Sequence, residues 1–136
     1  MILLDTSGLL AAVDSSQRGH AGAAAALRRA EGPLLLSPFV LAELDYLLAR
    51  RVGPSAEHAL LGEVAGGAYQ LEAFAPEDIG AAIGVMERYK SLEIGLADAS
   101  IVVLSERHQA LDVLTLDTRH FASLRGARGK PFNLLS

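Results

Sequence analysis

Met1-Ile2-Leu3-Leu4-Asp5-Thr6-Ser7-Gly8 is a short apolar run halted by an acid, two hydroxyls and a glycine. Apolar runs of this length, bounded by turn residues, read as strands buried on both faces, the kind found in parallel sheets. Asp5 then stands just past the carboxyl end of its strand, the edge of an open α/β sheet where ligands bind. The pattern recurs far along the chain, where Val113-Leu114-Thr115-Leu116 runs into Asp117. If the two strands are parallel members of one sheet, both acids emerge on the same edge.

Working outward, Leu34-Leu35-Leu36 is another short buried strand, and residues 69–74 and 132–135 complete the strands expected. Helical segments separate them. Residues 8–13 form a short apolar turn, residues 20–29 are rich in alanine, the best helix former, and residues 39–51 follow Ser37 as N-cap and Pro38 at the first helical position. Further helices are expected over 55–64, 76–90 and 97–108, with a helical turn over 118–124. Strands alternating with helices imply βαβ units, hence an α/β fold with a mainly parallel central sheet flanked by helices. At 136 residues, 1–136 is expected to be a single domain.

Composition narrows the chemistry. Hydrophobic residues make up 51% and charged residues 21%, which favours a globular fold over disorder. There is no cysteine, so disulfides and thiolate metal sites are excluded. The net charge of −4 argues against a simple cationic groove for nucleic acid, but not against an enzyme that meets phosphates through metal ions. The amino end has no basic n-region, and the longest uncharged stretch, residues 32–42, is shorter than the roughly 20 residues a bilayer requires. A soluble, cytoplasmic protein with no membrane association is expected.

Four acids are the candidate site. Taken alone, Asp117 reads first as an Asx turn or helix cap, and Asp5, followed by Thr-Ser-Gly, reads similarly. Asp98 has Ile101 and Val102 as its i+3 and i+4 neighbours, so it lies on the apolar face of its helix. A carboxylate buried there is costly unless it meets a cation, caps its own first turn or reaches the sheet edge. Glu43 sits in mid-helix with Asp45 two residues on, about 200° around the wheel. Each lies at a similar angle from the Val40, Leu44, Leu47 and Leu48 stripe, and periodicity does not choose between them. Gathered on one edge, such acids raise one another's pKa unless a cation is present. Hard oxygen donors without cysteine or clustered histidine suit Mg²⁺ or Mn²⁺ rather than zinc. Carboxylate-held divalent ions are an apparatus of phosphodiester chemistry.

Four segments resemble the PIN-domain family, in particular VapC-type toxin ribonucleases of type II toxin–antitoxin systems. These are Met1-Ile-Leu-Leu-Asp5-Thr-Ser-Gly-Leu-Leu-Ala, Ser37-Pro-Phe-Val-Leu-Ala-Glu43, Gly95-Leu-Ala-Asp98-Ala and Leu114-Thr-Leu-Asp117-Thr-Arg-His-Phe121. Each is weak alone; all four occur in the family's order and span nearly the whole chain. The resemblance implies a single PIN domain with Asp5, Glu43, Asp98 and Asp117 as its acidic pocket, and so selects Glu43 over Asp45. It implies a Mg²⁺-dependent endoribonuclease, with Mn²⁺ as a possible substitute, that cleaves RNA to leave a 5′-phosphate and a 3′-hydroxyl. It also implies a VapB-type antitoxin partner and a homodimer.

Thr6, Ser7 and Thr115 are placed to hydrogen-bond the carboxylates, or only to cap and turn. Arg119, His120, Arg125, Arg128 and Lys130 crowd one short stretch, either as a phosphate grip or as a solvated surface. Arg18, in a loop, is a further conceivable substrate contact. The four histidines are scattered and none is expected to be a ligand. Three rival readings remain open. One is a haloacid-dehalogenase-type phosphatase, which needs a second acid where Ser7 stands. The others are a non-catalytic PIN-fold binding module and an RNA-processing PIN nuclease that is not a toxin.

Overall fold

The strand β1 (Ile2–Leu4) is the middle of a five-stranded sheet in the computed structural model, which describes residues 1–136. The strand order is β3-β2-β1-β4-β5, with β2 at Leu34–Leu36, β3 at Gln70–Leu71, β4 at Asp112–Leu114 and β5 at Asn133–Leu135. Every pairing is parallel, so the sheet is wholly rather than mainly parallel. Leu3 pairs with Leu35 on one side and Val113 on the other. All three β1 residues are buried, as continuous apolar strands covered on both faces require.

Seven helices flank the sheet: α1 (Thr6–Val13), α2 (His20–Arg29), α3 (Pro38–Arg51), α4 (Pro54–Ala65), α5 (Pro76–Arg88), α6 (Leu96–His108) and α7 (Thr118–Phe121). The core is aliphatic, built on Leu3, Leu4, Leu9, Leu35, Leu36, Leu44, Leu48, Ile101, Leu104 and Leu114, with Phe121 as its one fully buried aromatic. In α3 the buried stripe is Val40, Leu44 and Leu48. Leu47, grouped with them on the helical wheel, instead lines a surface cavity.

Two buried hydroxyls fix α3 against α6. Ser37 Oγ lies 2.7 Å from Ser100 Oγ, and Ser100 Oγ donates to the Ala97 carbonyl at 2.6 Å. Ser37 also caps α3 by accepting from the Phe39 N–H at 3.1 Å. This pins the start of α3, which carries Glu43, to the first turn of α6, which carries Asp98.

Several elements are shorter than their sequence patterns. The expected strand 69–74 is reduced to Gln70–Leu71, an exposed edge paired only with β2. β4 stops at Leu114 rather than 116, because the Thr115 and Ser7 hydroxyls take over as partners of the next groups. The helix expected to reach residue 90 ends at Arg88 and passes into a 3-10 turn, Lys90–Leu92, before Glu93 adopts a left-handed conformation. The turn expected over 118–124 is helical only through Phe121. α1 begins at Thr6, two residues earlier than expected.

Candidate active site

The strand order changes direction between β1 and β4: the chain leaves β1 toward β2 and β3, then returns to β4 on the other side. Ligands in open α/β sheets bind in the crevice that such a reversal opens at the carboxyl ends of the strands. Here the crevice is a cavity of about 400 Å³, lined among others by Asp5, Glu43, Asp98, Asp117, Gln17, Arg51 and His120. A larger hollow of about 560 Å³ lies around Met1, Glu31, Asp112 and Ser136, and none of the four candidate acids lines it.

Gly8 lets the crevice close. A Cβ there would run into the Leu114 carbonyl and lie 2.8 Å from the Thr115 nitrogen. Without one, the first turn of α1 packs directly on the end of β4. Three hydroxyl contacts then stitch the two strand ends. Thr115 Oγ1 donates to Asp5 Oδ2 at 2.7 Å, Ser7 Oγ donates to the same oxygen at 2.8 Å, and Ser7 Oγ accepts from the Leu116 N–H at 2.9 Å. Thr115 Oγ1 also accepts from the Asp117 N–H at 2.9 Å. Asp5 occupies the N-cap position of α1, yet its side chain makes no capping bond. Of the three hydroxyls expected to support the acids, Ser7 and Thr115 do so through their side chains. Thr6 Oγ1 is buried without a partner.

Electrostatics separate the acids. Burial raises the Asp5 carboxyl; the bonds from Thr115, Ser7 and the Thr6 backbone oppose this, and the charge of Asp117 adds to it. Asp98, in the first turn of α6, is pushed up to about 6 by burial and then by the charge of Asp5. His120 opposes that shift, while Asp117 and Glu43 add to it. The field of the other three acids is thus felt at one carboxyl. Asp117 does cap its helix, accepting from the His120 N–H at 3.1 Å, so the capping reading holds for it alongside its position in the cavity. Glu43 is exposed at the rim, in line with Leu47 and Arg51 along one face of α3. Asp45 turns away to α4, where a hydrogen bond shared with Glu57, aided by burial, raises the Glu57 carboxyl.

No three of the Asp, Glu and His side chains close into a ready-made ion cage. The donor set instead fits an ion that keeps several waters and takes one or two carboxylates directly, which is the habit of Mg²⁺. Uncompensated negative charge around Asp98 supplies the attraction, and hard carboxylate oxygens supply the selectivity.

Sequence reasoning missed Arg51 and Gln17 here, and placed His120 only in the basic stretch. His120 stands between Asp98 and Asp117, 3.7 Å from one and 3.0 Å from the other. Its i+3 spacing from Asp117 was the available signal. Arg51 lines the cavity, and its i+8 spacing from Glu43 would have found it. Gln17 lies in a loop, tied to Asp14 at 3.1 Å, and carried no signal. Arg18 is absent from the lining. In the basic stretch after Asp117, Arg125 donates to the carbonyls of Ala122, Ser123 and Leu124, and Arg128 donates to Gln109 at 2.9 Å.

A parallel sheet with an acidic cavity at its reversal point is the architecture the sequence resemblance implies, and the chain belongs to the PIN-domain family, whose profile matches residues 2–127. It is similar to Ribonuclease VapC26 of Mycobacterium tuberculosis (strain ATCC 25618 / H37Rv), with 42% identity over 134 residues covering 98% of this chain and 99% of that protein. Its fold is that of Mycobacterium tuberculosis VapC20, a Sarcin-Ricin loop cleaving toxin, with a TM-score of 0.80 and 21% identity over 86% of this chain and 90% of that one. VapBC2 from Rickettsia felis, solved with a DNA fragment from its promoter, matches with a TM-score of 0.68 and 15% identity over 100% of both chains.

Proposed function

We propose that this protein is a Mg²⁺-dependent endoribonuclease, able to use Mn²⁺, and the toxin of a type II toxin–antitoxin pair. The observation that carries the reading is the convergence of Asp5, Glu43, Asp98 and Asp117 on one cavity, where the half-buried Asp98 carboxyl is pushed up to about 6. The ribonuclease relative, matched over nearly its whole length, supports the same chemistry. The PIN domain is taken to extend over 1–136, since β5 (Asn133–Leu135) completes the sheet beyond the matched region.

In this reading Asp5 and Asp98 hold the principal ion, and Glu43 and Asp117 hold a second or orient its waters. A bound divalent ion supplies Lewis acidity toward the scissile phosphate and lowers the pKa of a coordinated water. The chain does the rest. Ser7 and Thr115 fix the Asp5 carboxylate by donating to one oxygen, which leaves the other free. Hydrolysis leaves a 5′-phosphate and a 3′-hydroxyl. Ser7 stands where a phosphatase of the haloacid-dehalogenase type needs its second acid, and it is spent as a donor to Asp5, which disfavours that chemistry.

The partners of this reading are an RNA substrate, a VapB-type antitoxin and a second copy of the chain, in the cytoplasm. No helix is long and apolar enough to cross a membrane. The test is inducible expression with sequencing of newly formed RNA 5′ ends, alongside cleavage by the purified protein in Mg²⁺. Wild type is expected to arrest growth and produce defined cuts. Asp5→Asn and Asp98→Asn are expected to do neither, and full Mg²⁺-dependent cleavage by both variants would refute the assignment.

A further inference from the structure

His120 is a non-acidic side chain that stands against the carboxylates of two of the four acids. Its backbone N–H donates to Asp117 Oδ1 at 3.1 Å, while its ring Nδ1 stands 3.0 Å from Asp117 Oδ2 and 3.7 Å from Asp98 Oδ2. One residue therefore meets both oxygens of Asp117 and reaches across to Asp98. Nδ1 is buried and aligned on neither carboxylate well enough to count as hydrogen-bonded. The residue also borders a separate cavity of about 360 Å³, lined with Ser91, Leu92, Glu93 and Arg119. The Arg119 guanidinium donates to Nε2 at 3.4 Å, which holds the ring and leaves its proton on Nδ1, toward the acids.

We propose that His120 is a positioning residue of the acidic cavity: its Nδ1, lodged between Asp98 and Asp117, sets the spacing at which the two carboxylates face a divalent cation. Its Nδ1 lies between two carboxylates that would otherwise repel, nearer to Asp117 than to Asp98. Residues that orient ligands in this way typically change metal affinity about 10- to 100-fold when removed. The inference rests on the proposed metal site and deepens it.

The test is Mn²⁺ binding to the purified protein, followed by electron paramagnetic resonance or calorimetry, in wild type, His120→Ala, His120→Asn and His120→Gln. Asparagine carries its amide nitrogen near the position of Nδ1 and glutamine nearer that of Nε2. The expected result is Mn²⁺ affinity about 10-fold weaker in His120→Ala and His120→Gln, with His120→Asn within about 3-fold of wild type. Thermal unfolding of each metal-free variant accompanies the titrations; if His120→Ala does not fold, the contrast between Asn and Gln decides. Wild-type affinity in His120→Gln overturns the proposal, as does equal loss in Asn and Gln. If wild type itself takes up no Mn²⁺, the metal-site reading fails and this inference with it; binding by wild type that no His120 variant alters overturns this inference alone.

Discussion

The two ends of α6 carry charge in opposite ways. At its last turn Arg107 and His108 both meet Glu72, Arg107 also reaches Asp78 at 3.2 Å, and its guanidinium lies 5.1 Å from the centre of the Phe74 ring. Arg107, His108, Glu72 and Asp78 are all paired there, and the cations suit the negative end of the helix dipole. At its first turn Asp98 likewise suits the dipole, but its neighbours are Asp5, Asp117 and Glu43, with His120 alone in opposition. Burial acts on both ends. At Glu72 burial raises the carboxyl, yet the bonds from His108, Gln70 and Arg107 together outweigh it and bring the pKa below its usual value. At Asp98 nothing outweighs it. One end of the helix is neutralised within the chain, and the other is left incomplete for something outside it.

The strongest way to break this comparison is Asp98→Asn. Cleavage is expected to fall about 100-fold or more, on the scale of removing one electrostatic element of a catalytic site. The metal-free protein is expected to become more stable at neutral pH. The sign follows from linkage: a carboxyl at about 6 in the fold and near 3.8 when unfolded binds its proton more tightly in the fold. Metal-free wild type should therefore gain stability as pH falls from 7 through 6 toward 4, and the gap of about 2 units corresponds to about 2–3 kcal/mol at most. Thermal unfolding across that range measures it. Asp98→Asn should remove its share of the gain and leave that of Asp5, whose carboxyl is also raised, whereas a loss of stability in the metal-free variant at neutral pH would show that Asp98 is structurally satisfied.

Ser7→Ala sharpens the comparison at the same end. Asp5 Oδ2 keeps the Thr115 donor but loses the one at 2.8 Å, and the Leu116 N–H loses its acceptor. Mn²⁺ affinity is expected to drop roughly 10-fold, with a stability loss of about 1 kcal/mol from the unpaired N–H. Calorimetric titration and denaturant unfolding read the two effects separately. Unchanged affinity would mean that Thr115 alone orients Asp5.

Most of this architecture was written in short-range pattern. Short apolar strands running into Asp5 and Asp117, Ser37-Pro38 opening a helix and the glycine after Asp-Thr-Ser all express local physics, and they put the sheet edge where it is found. The wheel for α3 left Glu43 and Asp45 undecided because both flank the Val40, Leu44 and Leu48 stripe; what separates them is the way α4 folds back on α3 and sets Glu57 against Asp45. The short elements were illegible for a related reason. β4 gives way at Thr115 because a hydroxyl 108 residues away, that of Ser7, stands within 3.3 Å and takes the next N–H for itself. His120 and Arg51 escaped because a ring or a guanidinium beside an acid is commonplace on a helix, and only the folded cavity distinguishes them.

The smallest expected effect concerns the neutralised end. Arg107→Ala removes two ion pairs and a ring contact, all partly open to solvent, and should cost about 1 kcal/mol, because screened pairs contribute little individually. Glu72 gives the accompanying pH signature. Its pKa in the fold lies below the ordinary 4.5, so its contribution is present above that value and is lost as pH falls through the folded pKa. That trend is opposite in sign to the one at Asp98. Arg107→Ala should weaken the loss below pH 4.5 and leave the gain between about 7 and 4 untouched, with Mg²⁺-dependent cleavage at wild-type level. Unfolding curves of Arg107→Ala and Asp98→Asn across the same pH series would resolve the two ends of one helix. A change in cleavage on Arg107→Ala would mean instead that α6 transmits its far end to the acidic cavity, and that the two clusters are not separable.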